Sequence, residues 1–238
     1  MNIALIGYGR MGHEIEAIAI ERGHSIVLAI DKENAHELNA LNLKPVDVAI
    51  EFTIPTTAFS NIQTCLMAGV PTVSGTTGWL NKLDQAKQIA EQNNTALFYA
   101  SNFSIGVNLF LKVNQLLSNL VNKHNGYDVS IEEIHHTQKL DAPSGTAISL
   151  ANIIANEIKK YNGWSLLPEF YDEKIPIKAV REGNIPGTHS VLFDSEQDQI
   201  ILTHRAKSRR GFALGAVLAA EFSVGKKGFL TMDSLLKG

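Results

Sequence analysis

The segment from Glu133 to Ala147 gathers the groups best suited to proton chemistry: His135 and His136 side by side, then Lys139, then Asp141-Ala142-Pro143-Ser144-Gly145-Thr146. Imidazole gives or takes a proton near neutral pH more readily than other side chains. Pro143 stops any earlier helix and Ser144 is a reasonable N-cap, so a helix is predicted to open at Gly145. A helix start presents free backbone N–H groups and the positive end of the macrodipole, which places the N–H groups of Gly145 and Thr146 for a carboxylate. Proton donors beside such an anion pocket describe an active site for a carboxylate or phosphate substrate. Metal binding is not expected, because zinc helices space their histidines four apart and no second ligand cluster is visible.

These groups need elements to hold them. Residues 128–134 read as a strand that delivers His135 and His136 at its end, and residues 145–160 as the helix that follows the loop. Before them, residues 105–122 form a long helix with apolar side chains at helical spacing. After residue 161 the pattern turns extended, with strands over 175–180, 189–193 and 199–206. Arg181, Thr188, His189 and Arg209 are read as lying in loops that could reach the site, each equally readable as an ordinary surface group. These strands alternate only loosely, and one sheet face has no obvious helix to cover it, which makes that face an association surface.

The first hundred residues carry a second kind of signal. Residues 2–6 form an apolar strand, Gly7-Tyr8-Gly9-Arg10-Met11-Gly12 follows, and a helix runs to about residue 22. A second strand, residues 25–30, ends at Asp31. In this βαβ unit Gly7 permits the tight turn, Gly9 lets backbone approach a pyrophosphate, and Gly12 lets helix and strand pack closely. Asp31 suits the ribose hydroxyls of NAD, and Lys32 beside it suits a 2′-phosphate, so both NADH and NADPH are expected as cofactors. Further strand–loop–helix units place Phe52-Thr53, Gly75-Thr76-Thr77-Gly78 and Ala100-Ser101-Asn102-Phe103 at strand ends, where doubly wound sheets bind ligands. Cys65 falls on the apolar side of a helix and reads as core rather than as a nucleophile.

Composition bounds the possibilities. The chain has 238 residues with a formal charge of −3, which argues against electrostatic binding of nucleic acid. One cysteine excludes an internal disulfide and suits a reducing cytoplasm. No apolar run reaches membrane-spanning length. The pattern predicts an α/β protein: a Rossmann-like doubly wound parallel sheet from residues 1–105 and 210–238, and a mixed-sheet α+β domain from residues 106–209. Hinges are expected near 103–106 and 208–211.

The run Glu-x-His-His-x-x-Lys-x-Asp-Ala-Pro-Ser-Gly-Thr-Ala, filled at every fixed position from Glu133 to Ala147, resembles the signature of the dihydrodipicolinate reductase family. The glycine loop, Gly75–Gly78 and Asn102-Phe103-Ser104 resemble family segments in the same order. The resemblance implies NAD(P)H-dependent reduction of 4-hydroxy-tetrahydrodipicolinate to tetrahydrodipicolinate in the diaminopimelate route to lysine. It implies His135 as general acid and Lys139 as second proton donor or charge stabiliser, with the two roles open to exchange and a water as the alternative proton source. It further implies substrate contacts from His136, Ser144, Gly145 and Thr146, and cofactor contacts from the loops at Gly7–Gly12, Phe52-Thr53, Gly75–Thr77 and Ala100–Phe103. A homotetramer built on the second sheet is also implied. The chain departs from the family in its short 31–45 segment, where a strand–helix unit is reduced, and in the bulky Tyr8 inside the glycine loop. Another amino-acid or oxo-acid dehydrogenase, or a redox-sensing module that binds NAD(P) without turnover, would share the first hundred residues but has no need of the second motif.

Overall fold

The structure, a computed structural model of the chain, describes residues 1–124, 126–208 and 210–237. Arg209 lies outside them. The chain divides into two units, Met1–Ile105 with Arg210–Gly238, and Gly106–Arg209.

In the first unit short apolar runs alternate with helical ones. Strand β1 (Asn2–Ile6) leads through helix α1 (Arg10–Glu21) to β2 (Ser25–Ile30). Then come β3 (Val48–Glu51), α2 (Pro55–Met67), β4 (Thr72–Ser74), α3 (Leu83–Gln92) and β5 (Ala96–Tyr99). All four residues of β3 are buried, as expected of a strand covered on both faces. Pro55 occupies the first turn of α2, where its missing N–H costs nothing. Between β2 and β3 the chain makes only a 3₁₀ turn, Ala35–Glu37, in place of a helix. Leu38, Leu43 and Val46 from this short stretch pack with Ile30, Cys65 and Val70 and so cover that part of the sheet. Cys65 is fully buried, and burial pushes its thiol up to about 12. That thiol is a core group.

The second unit takes up helix α4 (Ile105–Val121), strand β6 (Asp128–His135), helix α5 (Gly145–Glu157) and strands β7 (Trp164–Leu166), β8 (Ile175–Arg181), β9 (Thr188–Asp194) and β10 (Gln199–Arg205). Their order is β10-β9-β6-β8-β7, a mixed sheet in which β6 pairs parallel with β8 and antiparallel with β9. Side chains from α4 and α5, among them Phe110, Leu150 and Ile154, cluster with Val129, Ile131, Ile177, Val191 and Phe193 from one sheet face. A shallow hollow on the sheet is lined by Glu132, Lys178, Leu192 and Ile201, and Ile201 is well exposed.

Three details differ from the sequence reading. Helix α5 ends at Glu157, because Ile158 turns to extended backbone and stays buried. Strand β7 is an additional edge strand, too short to show a period. Arg181 and Thr188 belong to strands rather than loops: Arg181 ends β8, and Thr188 begins β9, one residue ahead of the strand expected from residue 189.

The chain returns to the first unit through helix α6 (Arg210–Ser223), strand β11 (Gly228–Leu230) and helix α7 (Met232–Lys237). Strand β11 pairs with β5, giving a six-stranded parallel sheet ordered β11-β5-β4-β3-β1-β2. No described helix is long and apolar enough to cross a membrane.

Candidate active site

At the carboxyl ends of β1, β3 and β4 the glycines are required for different reasons. Gly7 sits at φ +96°, and a Cβ there would meet the Phe52 carbonyl oxygen at 2.0 Å. A Cβ at Gly12 would lie 2.5 Å from the Gly7 carbonyl, and one at Gly75 2.2 Å from the Phe52 ring. A Cβ at Gly9 would touch no protein atom within 4 Å. The protein therefore gains no packing from the missing side chain at Gly9. Gly9 is also the N-cap of α1 and makes no side-chain cap, so the first N–H groups of α1 stay available to an anion.

Two hollows, of about 340 and about 380 Å³, share Gly9, Phe52 and Thr53 in their walls. Arg10, Met11, Gly12, Gly75, Thr76 and Thr77 line the first; Gly7, Tyr8, Asp31 and Lys32 line the second. Asp31 is exposed and accepts from the Lys32 N–H at 2.7 Å. The Tyr8 ring lies against His13, 4.2 Å between centroids, and its hydroxyl donates to Glu16. Ala100–Phe103 lines neither hollow. Phe103 is buried, its ring 5.5 Å from that of Phe52, and Gly215 of α6 lies so close that a Cβ would overlap the Phe103 carbonyl. Asn102 Oδ1 accepts from the Ser104 N–H at 2.9 Å, and Ser101 is exposed.

A buried carboxylate ties these loops together. Glu51 at the end of β3 accepts from the Thr53 N–H at 3.0 Å, Ser74 Oγ at 2.7 Å and Thr76 Oγ1 at 2.9 Å, and from the Thr53 hydroxyl. Thr76 Oγ1 also accepts from the Thr53 N–H at 2.8 Å.

In the second unit strand alternation builds the site. Along β6 the side chains of Val129, Ile131, Glu133 and His135 share the buried face. Register sets Glu133 opposite His189 on β9 and His135 opposite Arg181 on β8. The fully buried Glu133 carboxylate accepts from the Ser144 N–H at 3.1 Å to each oxygen and from Arg181 Nη2 at 3.0 Å. His135 Nδ1 lies 3.6 Å and His189 Nε2 3.7 Å from its other oxygen. Burial acts to raise Glu133, but the donors from His189, Ser144 and Arg181 outweigh it and hold the group at about 2. His135 is driven down to about 4, first by burial and then by His189, against the pull of Glu133. Its imidazole is neutral at neutral pH.

Arg181 also fixes the loop that follows β6. Its guanidinium donates to the Asp141 carbonyl at 2.5 Å and to the Lys139 carbonyl at 3.3 Å. Lys139 Nζ is half-buried and bound by both Asp141 oxygens, at 2.7 and 2.9 Å; that hydrogen bond holds the Asp141 carboxyl below its usual range. Ser144 caps α5 as predicted, its Oγ accepting from the Ala147 N–H at 3.2 Å, and it lies 3.1 Å from His189 Nε2. Ser144 is thus buried and occupied by protein partners, whereas Gly145 is exposed and Thr146 half-buried beside it. His136 is half-buried, with no hydrogen-bond partner on Nδ1. Glu133, His135 and His189 offer ligand atoms within 4.8 Å of one another, but the Arg181 cation is already paired with that carboxylate.

Two family models match in sequence: dihydrodipicolinate reductase, N-terminus, over residues 1–103, and dihydrodipicolinate reductase, C-terminus, over residues 106–236. The chain belongs to the dihydrodipicolinate reductase family. A 4-hydroxy-tetrahydrodipicolinate reductase of Christiangramia forsetii is 51% identical over 237 residues, covering 99% of this chain and 98% of that one. One from Staphylococcus aureus is 36% identical, covering 99% and 100%. A dipicolinate-bound dihydrodipicolinate reductase from Paenisporosarcina sp. TG-14 superposes with a TM-score of 0.80 at 28% identity, covering 97% of each chain.

The sequence alone assigns no role to Glu133 and Asp141 within the signature, or to Gly187 outside it. Glu133 stands two residues before His135 in a strand, and that spacing alone puts both on one face. Gly187 has φ +155°, and a Cβ there would lie 3.0 Å from His135 Nε2. No local sequence signal reveals that contact, because it is made across strands.

Proposed function

We propose that this chain reduces 4-hydroxy-tetrahydrodipicolinate to tetrahydrodipicolinate, with loss of water, in the diaminopimelate route to lysine. The observation that carries this reading is 51% identity along the whole chain to a reductase of that name, with Glu133–Ala147 intact. The first unit is the dinucleotide-binding domain and the second the substrate-binding and oligomerisation domain.

The residues of the first unit fit a nicotinamide dinucleotide. Gly9 and the uncapped start of α1 suit its pyrophosphate, Asp31 and Lys32 its adenosine ribose, and Thr53, Thr76 and Thr77 its far end. When bound, that cofactor supplies the hydride. Both NADH and NADPH serve: Asp31 accepts from ribose hydroxyls and Lys32 neutralises a 2′-phosphate. No metal takes part, so activity survives chelators.

In the second unit His136 and the N–H groups of Gly145 and Thr146 hold the substrate carboxylates. Ser144 acts through the cap that shapes this helix start. The neutral His135 gains a proton as the dianion arrives, because a nearby negative charge raises an imidazole pKa. Lys139 leaves Asp141 to meet substrate charge. One hydride and one proton are added to the ring while one water is lost, and His135 with Lys139 handles the proton. The open face of the second sheet joins copies into a homotetramer.

The test is a coupled assay with freshly made product of dihydrodipicolinate synthase, following loss of NADH and then NADPH absorbance. Rapid oxidation with both is expected. Cofactor binding without oxidation would overturn the reading in favour of a sensor or another dehydrogenase.

A further inference from the structure

A buried carboxylate beside the proposed proton donor has no part in the proposed proton transfer. His135 Nδ1 is buried and has no hydrogen-bond partner, and Glu133 Oε2, 3.6 Å away, faces it. On the other side of the ring, Nε2 lies against Gly187, at a φ of +155° that side chains rarely adopt. The imidazole is therefore bracketed, with a buried carboxylate at Nδ1 and a side-chain-free position at Nε2.

We infer that Glu133 is a positioning residue for His135: it holds the proton of the neutral ring on Nδ1, leaves Nε2 to face the substrate, and stabilises the imidazolium that forms when the dianion binds. The inference deepens the reductase reading and rests on it. A carboxylate beside one ring nitrogen fixes the tautomer and presents the other nitrogen for chemistry. Glu133 can keep its charge while doing so, because Ser144 and Arg181 already donate to it. The 3.6 Å separation is about half an ångström too long for a hydrogen bond, a gap that commonly closes when substrate binds. Glu133 reaches further through the same contacts. Arg181, anchored on Glu133, also grips the backbone of Lys139 and Asp141, so one carboxylate sets both proposed proton donors. The charged and titratable groups facing the imidazole are Glu133, His189, Lys139 and Arg181.

Two measurements test this on the full chain. In ¹⁵N-histidine spectra at neutral pH, assigned with His135→Gln, the His135 ring of the wild-type protein is expected as the Nδ1–H tautomer. Glu133→Gln, which keeps shape and removes charge, is expected to lower kcat about 100-fold or more, with NADH affinity unchanged. It should also shift the His135 tautomer, and Glu133→Asp should restore part of the rate. An Nε2–H tautomer in the wild-type protein overturns the inference, as does a folded Glu133→Gln protein with wild-type turnover. Should Glu133→Gln fail to fold, the wild-type spectrum and Glu133→Asp still decide. If the wild-type protein turns over no substrate, the reductase reading fails, while the tautomer remains measurable by itself.

Discussion

His135 and Lys139 are both restrained in the free protein, one by burial and the other by Asp141. Replacing either by His135→Gln or Lys139→Ala is expected to lower kcat by about 100-fold or more while the melting temperature stays near wild type. A doubly substituted protein with near-normal turnover would remove both from the chemistry. The depressed His135 also gives a binding prediction. If dipicolinate, which the Paenisporosarcina structure holds, binds here too, the complex should take up a proton at pH 7, because the ligand's charge raises an imidazole that starts near 4. Titration calorimetry in buffers of different ionisation enthalpy reads that proton directly; binding with no uptake would count against His135 as the acid. Gly187→Ala places a methyl 3.0 Å from Nε2 and is expected to cost between about 10- and 100-fold in kcat through misplacement of the ring. The histidines and lysine were legible in sequence because they are contiguous. Glu133 stands in the same motif, but its task is not legible there, since its partners Arg181 and His189 come from strands far along the chain.

The elements hold these side chains through a few local devices. The α5 cap was readable from Pro143-Ser144-Gly145, because capping chemistry is local. Ser144→Ala should destabilise the protein by about 1 kcal/mol, seen as a lower denaturant midpoint. The glycine loop was equally legible, since only a glycine-rich turn joins β1 to α1 this tightly. Gly7→Ala, forced against the Phe52 carbonyl, is expected to cost about 2–3 kcal/mol and to weaken NADH binding. The end of α5 and strand β7 were not legible. Ile154 and Ile158 keep an apolar spacing that looks helical through residue 160, and only burial of Ile158 in extended backbone ends the helix. The missing helix between β2 and β3 was visible as a short segment. That three apolar residues would replace its packing was not, because it depends on Cys65 and Val70 of other elements.

At the scale of the whole molecule, acid acts first on the second unit. His135 falls from an ordinary 6.5 to about 4, so the folded state resists a proton that the unfolded chain accepts; stability present above pH 6.5 drains away as pH falls toward 4. Glu133, lowered from 4.5 to about 2, continues that loss between those values. Melting temperature should therefore fall steadily below pH 6.5, and His135→Gln should flatten the upper part of that curve. The open sheet face gives a second expectation: Ile201→Lys, at an exposed apolar position, should shift sedimentation toward smaller species. The two units each enclose their own core and each hold one tryptophan, Trp79 in the first and Trp164 in the second.

The burial of the one cysteine equips the protein with a stopwatch. Cys65 sits on the buried face of α2 in the first unit, closed to solvent, and no second thiol competes for reagent. A colorimetric thiol reagent can modify it only when that core opens, so the labelling rate counts openings of the first unit alone. Adding NADH should slow the clock in proportion to occupancy, turning a residue with no part in the chemistry into a gauge of cofactor affinity that needs no turnover.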